Sequence, residues 1–223
     1  NPQGNNVTKY YDGNGIWAPF MGAGYYTPVN QWTKGQYADA NNKVDEIAII
    51  STFLTPITDD FSDAFTNATL IKNTDAIGGI INSQSDVDIF KLILQGSQTI
   101  TINATVTSLL PTLKVGMSLF NNSQTNLITN TLTPATTESG NMGASITYFV
   151  PTTGIYYLKI AGVGGNGLDN SGNPITSFND YGSIGRYKIT GTWTDVQSIT
   201  LNNIIVTVAD KIYDGILNAD INT

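Results

Sequence analysis

Beyond about residue 58, apolar and polar residues alternate along several stretches of the chain. Alternation with a period of two is typical of a strand that buries one face, and turn residues separate these stretches at sandwich spacing. The pattern predicts a mainly β protein, with an antiparallel, jelly-roll-like β-sandwich over residues 58–195. The predicted strands lie within residues 89–94, 98–104, 113–120, 144–150, 155–160 and 186–193. The stretch 164–183, rich in Gly, Asn and Asp, is predicted to be a surface loop.

An irregular segment precedes the sandwich. Gly, Asn and aromatic residues dominate residues 1–40, which indicates turns packed by rings. An asparagine cap, acidic residues and then apolar residues predict one short helix over residues 42–53, and Pro56 prevents its continuation. We expect the apolar side of this helix to pack on a neighbouring element.

The change in composition and periodicity along the sequence divides the chain into three predicted parts: residues 1–57, the sandwich, and residues 196–223. The last part contains another strand signal at residues 199–209. This strand either completes the sandwich, starts a following segment, or pairs with another chain as an exposed edge.

Composition excludes several function classes. The 223 residues contain 10 basic and 17 acidic side chains, for a net charge of −7, which argues against nucleic acid as a partner. No apolar run reaches the length of a membrane-spanning helix. The chain has no His and no Cys, so it forms no disulfides and holds no His-based metal site, Ser-His-Asp triad or Cys-His dyad. The polar, weakly charged composition favours a secreted, extracellular protein.

A hard cation can still bind through oxygen ligands alone. Asp86 and Asp88 are two residues apart, so a strand places both carboxylates on one face, and calcium accepts six to eight such oxygens. We expect Asp59, Asp60 and Asp180 to contribute if the fold brings them close. In the alternative interpretation, Asp86 caps a turn and Asp88 faces solvent or accepts hydrogen bonds from strand-end amides.

Three further features have two interpretations each. The glycine-rich run 162–167 lacks a following helix, so a mobile connection is favoured over a phosphate cradle. Asp45 and Glu46 are adjacent and so do not share a helix face. Their presence in the first turn is better explained by a favourable interaction with the helix dipole than by acid–base catalysis. Aromatic rings near the N-terminus either pack the segment, the favoured interpretation, or form a glycan platform: Tyr10, Tyr11, Trp17, Tyr25, Tyr26, Trp32 and Tyr37.

Four Asn-x-Ser/Thr sequences are glycosylation candidates, at Asn6, Asn67, Asn103 and Asn121. The frequency of Asn, Ser and Thr in the chain is high enough to produce this many by chance. These sequences therefore permit glycosylation without indicating it.

The run WAPFMGAGYY at residues 17–26, followed by QWTKGQYADANN at residues 31–42, resembles a segment of secreted metzincin-type zinc metallopeptidases. The resemblance implies a Met-turn formed by Trp17, Pro19, Met21 and Gly22, in which Met21 packs beneath the zinc without binding it. We also expect Met21, Trp17 and Phe20 to belong to a core, because methionine fills gaps beside rings. The zinc-binding His-Glu-x-x-His helix of that family is expected before Asn1, in an upstream domain, or lost in a non-catalytic relative.

The later part resembles the pre-peptidase C-terminal domain that follows such catalytic domains. The matching residues are Asp59-Asp60, Ser85–Phe90, Gly154–Ile160 and Asp180–Gly191. Together the two resemblances imply the non-catalytic C-terminal portion of a secreted zinc metallopeptidase-like protein. Its sandwich would serve folding, secretion, or attachment to a protein or glycan surface.

We expect no catalysis from this chain alone, and the implied parent is a zinc metalloendopeptidase. The alternative function is a structural or adhesive extracellular module, a subunit of a surface assembly or filament that associates through the strand at 199–209. The upstream sequence distinguishes the two.

Overall fold

Two facing β-sheets contain nine of the thirteen strands in the described part of the protein. The computed structural model describes residues 10–37, 40, 42–73, 75–106, 111–130, 142–168 and 174–196. One short α-helix, α1 (Glu46–Ser51), and a single 3-10 turn (Phe65–Asn67) are the helical elements of this described part. The strands are β1 Trp17–Pro19, β2 Val29–Gln31, β3 Thr69–Leu70, β4 Ile77–Ile81, β5 Val87–Leu94, β6 Gln98–Val106, β7 Val115–Asn121, β8 Asn126–Asn130, β9 Ala144–Val150, β10 Gly154–Gly162, β11 Gly165–Leu168, β12 Pro174–Phe178 and β13 Gly185–Thr192.

The larger sheet has five strands in the order β3-β5-β10-β7-β8, and the facing sheet has four in the order β4-β13-β6-β9. Neighbouring strands are antiparallel except for the short β3, which runs parallel to β5. Two small pairs lie apart from these sheets, the parallel β1–β2 and the antiparallel β11–β12. The architecture confirms the predicted mainly β sandwich.

The core lies between the two large sheets. Alternate residues of β5, β7 and β10 are buried against alternate residues of β6, β9 and β13. Each fully buried aliphatic side chain stabilises the fold by about 1.5–3 kcal/mol. The core includes Phe90, Leu92, Ile100, Ile102, Met117, Leu119, Ile146, Leu158, Ile160 and Ile189.

A second hydrophobic cluster joins the first segment to the sandwich. Trp17 and Val29 of the β1–β2 pair pack with Met142 and Phe178, and the rings of Trp17 and Phe178 stack with centroids 6.4 Å apart. The N-terminal segment therefore shares buried surface with the part of the chain that follows residue 58.

Strand predictions hold in the core and are wrong or incomplete in three other places. The stretch 164–183 is not a plain loop, because it contains the hairpin β11–β12. Two strands have no clear sequence signal: β4 contains two adjacent glycines, and β8 is an edge strand with polar, largely exposed residues. The glycine-rich run 162–167, predicted to be a mobile connection, contributes its last residues to β11.

The helix is shorter than predicted. It begins at Glu46 and its cap is Asp45, whose carboxylate accepts a hydrogen bond from the Ala48 amide at 2.8 Å. Asn42 instead accepts from the Val44 amide at 3.0 Å, so it forms a turn ahead of the helix. The predicted extension to residue 53 is wrong, because the helix already ends at Ser51, before Pro56.

Within the described residues, no helix has both the length and the apolar character needed to span a membrane. The strand predicted at 199–209 and the sequon at Asn6 lie outside the described residues, so self-association through that strand stays a prediction.

Candidate metal centre

Two carboxylates lie at the beginning of β5. The Asp86 amide donates to the Ser83 carbonyl oxygen at 3.3 Å, and the Asp86 side chain accepts from the Asn82 amide, so Asp86 closes a tight turn. Asp88, the second residue of the strand, accepts from the Tyr187 hydroxyl. Both side chains are buried, with exposed fractions of 5% for Asp86 and 0% for Asp88.

Three more carboxylates approach from the connection between α1 and β3. The Ile89 amide donates to the Ser62 carbonyl oxygen at 3.0 Å, which holds this connection alongside the start of β5. Asp63 accepts from the Val87 amide at 3.1 Å, and Asp60 accepts from the Ile80 amide at 3.3 Å. These contacts direct an otherwise exposed connection toward the two buried carboxylates.

The five carboxylates form two overlapping groups that share Asp59. In one group, Asp59, Asp63 and Asp86 have carboxylate oxygens within 4.8 Å of one another, and in the other Asp59, Asp60 and Asp88 do. Calcium binds oxygen at about 2.3–2.6 Å, so two oxygens on opposite sides of one ion are separated by roughly 4.6–5.2 Å. Within each group of three, the spacing therefore fits oxygen atoms around one large cation.

The two buried carboxylates are only half satisfied. The Oδ1 atoms of Asp86 and Asp88 are buried and have no hydrogen-bond partner. A buried carboxylate oxygen without a partner costs free energy, and a cation removes this cost by direct coordination. The orphaned atoms are the structural observation that distinguishes this cluster from ordinary surface acids.

The pKa values of these two carboxylates are shifted for the same reason, namely burial without enough hydrogen-bond donors. Burial raises the pKa of Asp88 to about 7, opposed by the Tyr187 hydrogen bond and reinforced by the charges of Asp86, Asp60 and Asp59. Burial also raises the pKa of Asp86, with the Asn82 hydrogen bond opposing and the neighbouring carboxylates adding to the shift. Like charges that share a site destabilise one another unless a proton or cation neutralises them.

Four of the five sequence-selected carboxylates come together. Asp86, just before β5, and Asp88, within it, are both buried, and each lies in a group with Asp59, while Asp60 joins the group of Asp88. Asp180 is placed elsewhere, and its side chain accepts from the Gln84 amide group at 2.8 Å. Asp63 also belongs to the cluster and is not among the predicted ligands, although it lies three residues after Asp60 in an acidic stretch.

The Met-turn-like residues lie at the end of β1. Trp17 is buried, and its indole N–H donates to the Gln31 side chain at 2.9 Å. A tight turn follows, in which the Gly22 amide donates to the Pro19 carbonyl oxygen at 2.8 Å. The expectation that Met21 and Phe20 are core residues is wrong for the described part of the chain, because they are 57% and 36% exposed. The turn leaves Met21 facing outward, whereas the partly exposed Phe20 ring packs against Trp32 with centroids 4.7 Å apart.

The predicted aromatic rings and the glycosylation candidates differ in how exposed they are. Among the rings, Tyr11 and Tyr37 pack against each other with centroids 4.6 Å apart, as predicted, but Tyr25 and Tyr26 are 87% and 96% exposed. The described sequons differ in setting: Asn67 is exposed, whereas Asn103 and Asn121 are partly buried in or beside strands.

Glu46 is buried and has no solvent-facing role. Its carboxylate accepts from the Thr33 amide at 2.9 Å and from the Asn42 side chain at 3.2 Å. Burial raises the pKa of Glu46, while these hydrogen bonds oppose the shift. The contacts tie the start of α1 to the residues after β2, which is a structural role.

Comparison with known proteins gives distant similarities. No family model matches the chain, and no curated relative matches it. Among solved structures, it is similar to the pre-peptidase C-terminal domain of a collagenase from Bacillus anthracis, at 14% identity and a TM-score of 0.38, covering 61% of this chain and 100% of that one. It is also similar to PliG, a periplasmic inhibitor of g-type lysozyme from Aeromonas hydrophila, at 10% identity and a TM-score of 0.35, covering 56% of this chain and 96% of that one. TM-scores this low do not indicate a function for this chain.

Proposed function

We propose that this chain is the non-catalytic C-terminal portion of an exported zinc metallopeptidase-like protein, in which the β-sandwich serves as an accessory domain. The proposal rests on the resemblance of residues 17–42 to the Met-turn segment. The chain itself lacks the nitrogen and sulfur ligands that zinc prefers, since it has no His and no Cys. Its residues therefore do not fit a zinc centre of their own.

The observation that carries this proposal is the difference in exposure between the inner and outer parts of the turn after β1. Its base is anchored by buried Trp17, whereas its outer part exposes Met21 and the rings of Tyr25 and Tyr26. Apolar side chains held outward on an anchored turn are expected where another domain packs. If the Met-turn resemblance holds, that partner is an upstream zinc-binding domain.

A comparison of the 223-residue chain with a longer polypeptide from the same gene, which includes the upstream residues, tests this proposal. We expect one zinc per molecule by elemental analysis, and peptidase activity, only in the longer protein. Met21→Ala should weaken zinc retention in the longer protein while leaving the unfolding of the shorter chain unchanged. A longer protein that binds no zinc would refute the proposal.

We also propose that the acidic cluster binds calcium, because a specific feature favours it: the orphaned Oδ1 atoms of Asp86 and Asp88. The donors are all carboxylate oxygens, the chemistry that calcium prefers. Such an ion would connect Asp59 and Asp60 of the α1–β3 connection to the beginning of β5. Its role would then be to fix this connection on the sandwich.

Isothermal titration of the chelator-treated chain with calcium chloride tests this site. We expect saturable binding near one ion per chain at pH 8, lost in Asp86→Asn and retained in Asp180→Asn, because Asp180 lies outside the cluster. Equal binding by wild type and Asp86→Asn, or no binding by wild type, would exclude the site. Circular dichroism of each variant verifies that the strands remain.

A further inference from the structure

Helix α1 has little support of its own. It has six residues, and isolated helices shorter than about 12 residues are marginal in water. Glu46 is the one residue of this helix that is buried, and Ile49 on its outer side is 48% exposed. Contacts from other elements must therefore hold the helix in place.

Tyr181, from the loop between β12 and β13, supplies such contacts. Its hydroxyl donates to the capping carboxylate of Asp45 and accepts from the Ile47 amide at 3.2 Å. One buried hydroxyl thus connects the cap to a first-turn amide that otherwise has no helical partner. The partners lie 136 and 134 residues apart in the chain.

The residues after β2 also converge on Tyr181. The Lys34 ammonium lies 4.6 Å from the centroid of the Tyr181 ring. The Thr33 amide donates to Glu46 at 2.9 Å, which ties these residues to the start of α1. The ring and the hydroxyl of one tyrosine therefore contact two parts of the N-terminal segment.

The loop that carries Tyr181 is itself fixed to the sandwich. Ser183 is fully buried and its hydroxyl accepts from the Lys114 amide at 2.8 Å and donates to the Lys114 carbonyl oxygen at 3.1 Å. Gly182 allows the segment to approach closely, because a Cβ atom there would lie 2.3 Å from the Trp32 carbonyl oxygen and 2.8 Å from the Gln31 Cβ. The loop is therefore shaped to receive the N-terminal segment.

From these contacts we infer that the loop 179–184 is the docking site of the N-terminal segment on the sandwich, and that Tyr181 is its positioning residue. Tyr181 fixes the start of α1, and Gly182 sets the distance to the residues after β2. The docking unites the Met-turn-like segment and the sandwich in one unit. The inference concerns this chain alone and stands whether or not a zinc domain precedes it.

Hydrogen exchange of the 223-residue chain, measured by mass spectrometry, tests the role of the hydroxyl. Tyr181→Phe keeps the ring and removes the hydrogen bonds to Asp45 and Ile47, so peptides over 45–51 should exchange about tenfold faster. The matched control is Tyr156→Phe, which removes a buried hydroxyl that donates to the Thr152 carbonyl oxygen at 2.9 Å within the sandwich. It should leave exchange over 45–51 unchanged.

A titration of Asp45 by NMR distinguishes positioning from general loss of stability. The Tyr181 hydrogen bond, followed by that of the Ala48 amide, lowers the pKa of Asp45. In Tyr181→Phe this pKa should rise toward its ordinary value, whereas in Tyr156→Phe it should not move. An unchanged Asp45 titration together with exchange over 45–51 within twofold of wild type would overturn the inference.

A second pair of variants tests the loop without touching Tyr181. Gly182→Ala should displace the segment and accelerate exchange over 45–51, because the added methyl group meets the Trp32 backbone. Gly154→Ala, where a Cβ atom has no neighbour within 4 Å, is the control. Equal exchange in both variants would contradict the docking role of the loop.

Discussion

Asp88 makes the stability of the calcium-free protein depend on pH, and Asp88→Asn should remove this dependence. The folded-state pKa of Asp88 is about 7, against an ordinary value of 3.8. Between these values the folded protein holds a proton that the unfolded chain releases. The stability associated with this proton is complete below about pH 4 and is lost as the pH rises through 7.

The size of the effect follows from the shift. A difference of about three pKa units corresponds to roughly 4 kcal/mol at 1.36 kcal/mol per unit, an upper limit because Asp88 is coupled to Asp86, whose pKa is also raised. The amide introduced by Asp88→Asn would keep an oxygen that accepts from Tyr187 and cannot ionise. The difference in unfolding free energy between wild type and Asp88→Asn should therefore shift by as much as about 4 kcal/mol between pH 4 and pH 8, in favour of the variant.

Urea denaturation followed by tryptophan fluorescence, in a chelator and at several pH values, measures this difference. Asp180→Asn is the control, since it changes a carboxylate outside the cluster. With calcium at about 100 times its dissociation constant, wild type at pH 8 should gain roughly 2.7 kcal/mol, and Asp88→Asn should lose most of this gain. Parallel pH profiles of wild type and Asp88→Asn in the chelator would refute the reasoning, because the pKa of Asp88 would then be the same in the folded and unfolded states.

Two further substitution pairs test the packing around these sites. Gly79→Ala places a Cβ atom 2.3 Å from the Tyr187 hydroxyl oxygen, so it should displace the donor to Asp88 and lower stability by about 1–3 kcal/mol, whereas Gly78→Ala, with its nearest atom at 3.8 Å, should stay within about 0.5 kcal/mol. Trp17→Ala should cost about 3–5 kcal/mol because the indole is 3% exposed, and Met21→Ala, 57% exposed, should change the stability of this chain by less than about 0.5 kcal/mol. Urea denaturation measures all four, and equal losses within either pair would contradict the assigned contacts.

The core strands were predictable because burial on one face imposes a local signal. In β9 the predicted residues 144–150 coincide with the observed strand, where Ala144, Ile146 and Val150 are buried. That signal is absent where strands have little to bury. The glycines of β4 carry no side chains, and the polar β8 lies at a sheet edge.

The candidate metal centre was predictable only in its local part. Asp86 and Asp88 are two residues apart in the sequence, so both lie near the start of β5, which begins at Val87. The approach of Asp59 and Asp63 depends on the backbone hydrogen bond between Ser62 and Ile89, which joins residues distant in sequence and has no residue-specific signature. The placement of Asp180 beside Gln84 depends on the path of the β12–β13 loop for the same reason.

The contact of Tyr181 with Asp45 also joins residues that are distant in sequence and has no local sequence signal. It changes how the predicted boundary near residue 57 is understood. The composition changes there, and so does the family that the sequence resembles. Packing does not change there, because Trp17 and Val29 before the boundary are buried with Met142 and Phe178 after it. A cut at residue 57 would expose both halves of this cluster to water and remove the Tyr181 hydroxyl from the start of α1. The boundary in resemblance is therefore not a boundary in packing, and the sandwich is the surface on which the Met-turn-like segment is held.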